Sequence, residues 1–192
     1  NYQQPELLNK LQLVQQNRIQ RVYKIVENLK ESGVKLNAQT VFNISGRGTV
    51  GRMHIARALL LDGWVNSTAE AFRKYIGDNS PAYVCGFRLS VLEAIKLIKD
   101  AGGVAVLAHP YMLANDEELI TEFAGYGLQG LEVHYPEHSQ SQVNFYLELA
   151  KKLGLLVTGG SDFHGSVKPD IKLGTIKIPF ELVEKLRLAK KS

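Results

Sequence analysis

Three segments of the chain bring together side chains that ligate metals or move protons. Ala108-His109-Pro110 ends an otherwise wholly apolar run with a histidine. Glu132-Val133-His134-Tyr135-Pro136-Glu137-His138 and Gly159-Gly160-Ser161-Asp162-Phe163-His164-Gly165 follow further on. In an extended segment Asp162 and His164, two residues apart, project to the same side. A carboxylate and an imidazole held that way are good ligands for Zn, Mn or Fe. The glycines around them let the backbone turn sharply. Taken singly, each histidine has a plainer reading, as a hydrogen-bonded core residue or a loop neighbour of a capping aspartate. Together, at successive strand ends, His109, Asp162 and His164 read as metal ligands. His134 and His138 are read as structural, with His138 opening a surface loop.

A second group is basic: Gly51-Arg52-Met53-His54, then Arg73, Lys74 and Tyr75, then Tyr83. Arginine forks a pair of phosphate oxygens and lysine offers a point charge. His54 sits where a short helix begins, and the amino end of a helix attracts anions. Arg and Lys on helices are commonly just a solvated face. Beside a metal site, Arg52 and His54 become phosphate-binding candidates, Lys74 a weaker one and Arg47 weaker still. The glycine-rich 46–51 stretch does not follow a strand and lacks the Lys-Ser/Thr of a nucleotide-binding loop, so it is set aside.

The elements that must hold these residues fall into two textures. From Pro5 to about Ile76 the apolar residues recur at three- and four-residue spacings, predicting helices. These are a first helix stopped by Gly33, a second over Asn37–Phe42, a third over His54–Leu61 and a fourth over Thr68–Ile76 capped by Ser67 or Thr68. Pro81–Phe87 reads as an exposed connection. From Ser90 helices and strands alternate. The predicted strands are Val104–Ala108, buried on both faces, then Gly130–His134, Leu155–Thr158 and Gly174–Ile178. The predicted helices are Val91–Ala101, Glu117–Ala124, Ser139–Leu153 and Pro179–Ala189. This rhythm points to a parallel α/β sheet or barrel, whose working residues gather at the carboxyl ends of strands.

Composition bounds the rest. The chain has 192 residues, 45% hydrophobic and 22% charged, an ordinary globular balance with room for one domain or one plus an appendage. No run approaches the roughly 18 apolar residues of a membrane span. The single cysteine, Cys85, excludes an internal disulfide and a cysteine-built zinc site and suits a reducing, cytoplasmic setting. The net charge of +4 suits an anionic substrate without indicating nucleic-acid binding. The chain opens on Asn1 with a helix almost at once under way, which predicts a piece or processed product of something longer.

The motifs taken together resemble the PHP (polymerase and histidinol phosphatase) family, in its branch of small metal-dependent phosphoesterases that includes nucleotidases, nucleotide bisphosphate phosphatases and 5′–3′ exoribonucleases. The resemblance is carried by Gly51-Arg52-Met53-His54-Ile55-Ala56, Ala71-Phe72-Arg73-Lys74-Tyr75, the Gly102–Pro110 stretch, Gly130-Leu131-Glu132-Val133 and Gly159–Gly165. It implies a distorted (β/α)7 barrel with an α-helical insertion. On this chain, residues 1–86 would be the helical insertion, a lid over substrate, and 87–192 the C-terminal βα units. It also implies two or three divalent ions (Mn, Fe or Zn). His109 resembles the family's late histidine ligand, Asp162 and His164 its closing Asp-x-His pair, and Arg52, His54 and Lys74 insertion residues near the substrate phosphate. The family's early His-x-His, Asp and Thr-Asp-His ligands have no counterpart here, so the expected cluster is partial.

The expected activity is hydrolysis of phosphate esters of a phosphorylated small molecule, a nucleotide or short RNA, with no membrane partner. Asp162 would position the nucleophile and His54 would bind phosphate or protonate the leaving group. The alternatives are a non-catalytic truncated barrel serving as a binding or assembly module, and a histidinol-phosphate phosphatase. Assembly as a homo-oligomer, or with a missing N-terminal half, would go with the partial cluster.

Overall fold

The computed structural model describes residues 1–165 and 170–190. The chain divides into a helical unit, Leu8–Arg88, and an α/β unit made of Asn1–Leu7 and Leu89–Ser192.

The helical unit begins with most of α1, Pro5–Glu31. Only its second half is anchored: Val22, Ile25 and Leu29, spaced three and four apart, are buried, while Leu8, Leu11 and Leu13 stay exposed. Gly33, at φ 82°, ends the helix, and the Val34 amide donates back to the Leu29 carbonyl at 2.8 Å. That pairing satisfies a carbonyl the helix cannot, and the positive φ explains the glycine. Helix α2, Ala38–Ser45, is capped by the Asn37 side chain on the Gln39 amide at 2.8 Å. Helix α3 runs Arg52–Leu61 and buries Ile55, Ala56, Ala58 and Leu59. Helix α4 is only Thr68–Ala71; the expected single helix to Ile76 instead widens into a π-turn, Phe72–Ile76, closed by the Gly77 amide on the Phe72 carbonyl. The 81–87 connection is not wholly exposed as expected. Ala82 is fully buried, and its amide donates to the Tyr75 carbonyl at 3.0 Å, so it docks as part of the core.

In the α/β unit, α5 (Val91–Asp100) starts from a reciprocal cap in which Ser90 accepts the Glu93 amide and Glu93 reaches back to the Ser90 amide. Strand β1 follows at Val106–Leu107, α6 at Asp116–Gly125, β2 at Gly130–His134, α7 at Gln140–Leu153, β3 at Leu156–Gly159 and α8 at Phe180–Ala189. The strands form one parallel sheet in the order β1-β2-β3, with Leu107 opposite Leu131 and Leu131 opposite Val157. The expected five-residue strand at Val104–Ala108 shrinks to two half-buried residues. Its apolar run is coded for cover on both faces, but β1 pairs only with β2 among the described residues, and the chain turns sharply at His109. The strand expected at Gly174–Ile178 is turn and irregular chain. Leu131, Val133, Ile120 and Tyr146 are fully buried at the centre of this unit. The Tyr146 hydroxyl donates to Asp116 at 2.7 Å, so its burial leaves no polar atom unpaired.

Leu131 is fully buried in the central strand. Leu131→Ala is therefore expected to lower the unfolding free energy by about 2–5 kcal/mol, read from urea melts.

Candidate active site

Alternation along β2 buries Leu131 and Val133 on one face and leaves Glu132 and His134 on the other. A carboxylate on a central parallel strand must be satisfied or it destabilises the sheet. Glu132 is satisfied by the end of β1: its Oε2 accepts the His109 amide at 2.9 Å and lies 3.5 Å from His109 Nδ1. His109 adopts the left-handed region, φ 51° and ψ 51°, as it starts the short 3-10 turn Pro110–Met112. Its Nδ1 is buried and makes no hydrogen bond among the described residues. Its ring meets Tyr135 edge-on with centroids 4.8 Å apart.

Tyr135 carries the contact across to the third strand end. It is almost wholly buried, and its hydroxyl donates to Asp162 Oδ2 at 3.1 Å. Burial, and then the Asp162 carboxylate, push the phenol up to about 12, so at neutral pH it is a fixed donor. Tyr111 stacks on Tyr135 and donates to Glu137, which holds its own phenol above the ordinary range. Asp162 is the other left-handed non-glycine residue among those described, also at φ 51°. Such conformations are uncommon outside glycine and gather at working sites. The ends of β2 and β3 run close: a Cβ on Gly159 would fall 2.4 Å from the His134 carbonyl oxygen, which only glycine avoids.

His109, Asp162 and His164 thus stand at the carboxyl ends of β1 and β3 as two pairs. His109 faces Glu132, and His164 Nδ1 lies 3.3 Å from Asp162 Oδ1 and 2.7 Å from its carbonyl oxygen. Among the described residues no three His, Cys, Asp or Glu side chains form a single ligand set. The donors nevertheless fit a divalent cation in kind: an imidazole nitrogen with no hydrogen bond, and carboxylates on both sides of the Tyr135 bridge.

His138 does not open a surface loop. It is buried, its Nδ1 donates to the Val133 carbonyl at 2.8 Å, and Tyr111, Tyr135 and Tyr146 surround it. Glu132 takes its role from the fold, through the His109 amide and imidazole. The signal is its acidic side chain at the middle of a strand, flanked by the apolar Leu131 and Val133.

In the helical unit, His54 occupies the third position of α3, and its Nδ1 accepts the Gly51 amide at 3.0 Å. That bond places the proton of the neutral ring on Nε2. Arg52 donates to Asp78 at 2.6 Å and lies over the Phe72 and Tyr83 rings. Lys74 pairs with Glu70 one helical turn away, at 2.5 Å, and is half exposed. Each basic candidate therefore already has a partner within its own unit, whereas Arg47 is exposed on a turn.

No family model matches the chain. It is 31% identical over 166 residues to a 3′,5′-nucleoside bisphosphate phosphatase of Chromobacterium violaceum, covering 84% of this chain and 58% of that protein. A 5′-3′ exoribonuclease of Haemophilus influenzae is 31% identical over 164 residues, 83% of this chain and 60% of that one. The chain thus spans about three-fifths of the length of these curated relatives. A crystal structure of a protein from Bifidobacterium adolescentis, described as a metal-dependent phosphoesterase, superposes with a TM-score of 0.82 at 30% identity, covering 97% of this chain and 68% of that one.

The Lys74 and Asn66 hydrogen bonds hold the Glu70 carboxyl down to about 2. A depressed carboxyl stabilises the fold above its unfolded value and loses that contribution as pH falls through the folded one. Between about pH 4.5 and pH 2, stability should drop less in Glu70→Gln than in the unaltered protein, measured as urea midpoints across that range.

Proposed function

The chain belongs to the PHP family of metal-dependent phosphoesterases, and on that premise we propose that the protein hydrolyses phosphate esters of nucleotides or of RNA 5′ ends. The observation that carries the reading is His109 Nδ1: buried, without a hydrogen bond, and facing Glu132 at the carboxyl end of a parallel sheet. Residues 1–86 are then the helical insertion and 87–192 the C-terminal βα units of a distorted (β/α)7 barrel.

His109, Asp162 and His164 are the metal-holding residues, for two or three ions of Mn, Fe or Zn in the full site. A divalent ion supplies, when bound, the positive charge that polarises a phosphoryl oxygen. Glu132 holds the His109 backbone and keeps a carboxylate beside the imidazole. Tyr135, a permanent donor, fixes Asp162 Oδ2, and His164 Nδ1 lies 3.3 Å from Oδ1, so the carboxylate is held in one orientation. Asp162 is accordingly the residue that orients the nucleophile. Arg52 and Lys74 offset charge on the non-bridging phosphate oxygens. His54, with Nδ1 committed to the helix cap, acts through its Nε2 proton, as a donor to the phosphate or its leaving group.

The pairing of these groups in twos rather than threes favours one rival, a non-catalytic binding or assembly module. A histidinol-phosphate phosphatase is the other. The test is metal analysis of the full-length protein, then turnover of a nucleoside 3′,5′-bisphosphate, a 5′-phosphorylated oligoribonucleotide and histidinol phosphate. Stoichiometric metal and turnover of the first two are expected. His109→Ala should weaken metal retention by at least the 10–100-fold, roughly, that even outer partners of metal ligands contribute. Metal-free protein with no turnover of any ester would leave the binding module.

A further inference from the structure

The positive charge of the helical unit extends well beyond Arg52. Arg18, Arg21 and Arg52 line a cavity of about 210 Å³ together with Gly51, over an apolar floor that includes Val22 and Ile55. No carboxylate among the described residues lines it. Arg18 and Arg21 also line a second cavity of about 210 Å³, with Arg88 and Asn17.

The Arg21 guanidinium is held firmly. Its Nε donates to the Val84 carbonyl at 2.7 Å, and it lies 5.6 Å from the centre of the Tyr83 ring. Its Nη2 is nevertheless buried and has no hydrogen-bond partner among the described residues. Burial, and then the charge of Arg52, lower its pKa from the ordinary value, as expected where positive charge lacks compensation. Arg52 has one carboxylate partner, Asp78, and neither Arg18 nor Arg21 makes an ion pair among the described residues.

A desolvated cationic nitrogen is costly unless an acceptor reaches it. Three forked guanidinium groups match the oxygens of a tetrahedral anion. Size narrows the ligand. Pockets for whole drug-sized ligands run to about 300–1,000 Å³, so a smaller cavity suits a single oxyanion group rather than an entire nucleotide.

We propose that Arg18, Arg21 and Arg52 form a metal-independent phosphate pocket in the helical unit, which takes inorganic phosphate or the phosphoryl group of a monoester. The pocket deepens the phosphate-ester reading and rests on it only for the source of that group.

The test titrates the full chain, in buffer with a chelator, with inorganic phosphate by calorimetry, with chloride at equal ionic strength as reference. Saturable binding of one phosphate per chain is expected. Arg18→Gln should weaken it about tenfold or more, and Arg21→Gln further still, while Lys30→Gln leaves it unchanged. Arg18 is exposed on α1, so its replacement stays informative even if Arg21→Gln fails to fold. Adenosine 5′-phosphate in the same buffer separates the sources: tighter binding than inorganic phosphate assigns an ester, equal or weaker binding assigns the free ion. Absence of saturable binding, an equal response to chloride, or undiminished binding by Arg18→Gln overturns the pocket, whatever turnover shows. Phosphate binding retained in a protein that hydrolyses no ester would overturn the hydrolase reading and leave the pocket standing.

Discussion

The candidate site depends on a carboxylate placed where a parallel sheet tolerates it badly. Glu132 sits in the central strand, and the sheet can keep it only if donors reach it. The His109 amide does so, and the backbone at His109 must adopt φ 51° to begin the next turn from there. The imidazole is thereby brought beside the same carboxylate, and the aromatic edge of Tyr135 bounds it on one side. One electrostatic requirement thus sets the end of β1, the conformation of His109 and the side of the sheet on which the candidate ligands lie.

Much of this could be read along the chain, and the gaps have identifiable causes. Periodicity found α1, α3, α5, α6, α7 and α8, because each has an apolar stripe or a cap within its own few residues. It found Gly130–His134 because that strand has its neighbours on both sides. It overestimated Val104–Ala108, since an apolar run reports the demand for cover and not whether a second ladder partner is there to meet it. It found a strand at Gly174–Ile178 where the chain is irregular. His109, Asp162 and His164 stood out as polar residues at strand ends. Glu132 and Tyr135 did not, because their roles come from neighbours in space: Tyr135 is 27 residues from Asp162 and Glu132 is 23 from His109. His138 departs from a surface-loop position for the same reason, its cage of tyrosines coming from the residue after β2, from α7 and from the turn after β1.

The basic residues show where sequence reasoning is weakest. Arg52, Lys74 and their neighbours could be named from composition and position, but not their partners. Asp78 and Glu70 now account for the two that stood out, whereas Arg21, which no motif marked, has a buried nitrogen with no hydrogen-bond partner among the described residues. Charge in a folded chain is best judged by what remains after internal pairing, and that remainder appears only once the elements are packed.

The wide turn at Phe72–Ile76 has a consequence for how this unit can change over evolutionary time. A π-turn holds one more residue than the α-helical path between the same points, the mark an inserted codon leaves when neighbouring packing absorbs it. Loss of a single residue there would let the helix run on unbroken and rotate everything after it by roughly a quarter-turn or more. Ile76, whose carbonyl Arg52 reaches at 3.3 Å, would then be re-aimed along with Asp78. Lineages with and without the extra residue should therefore differ in which way their Arg52 counterpart faces, a change made by length alone.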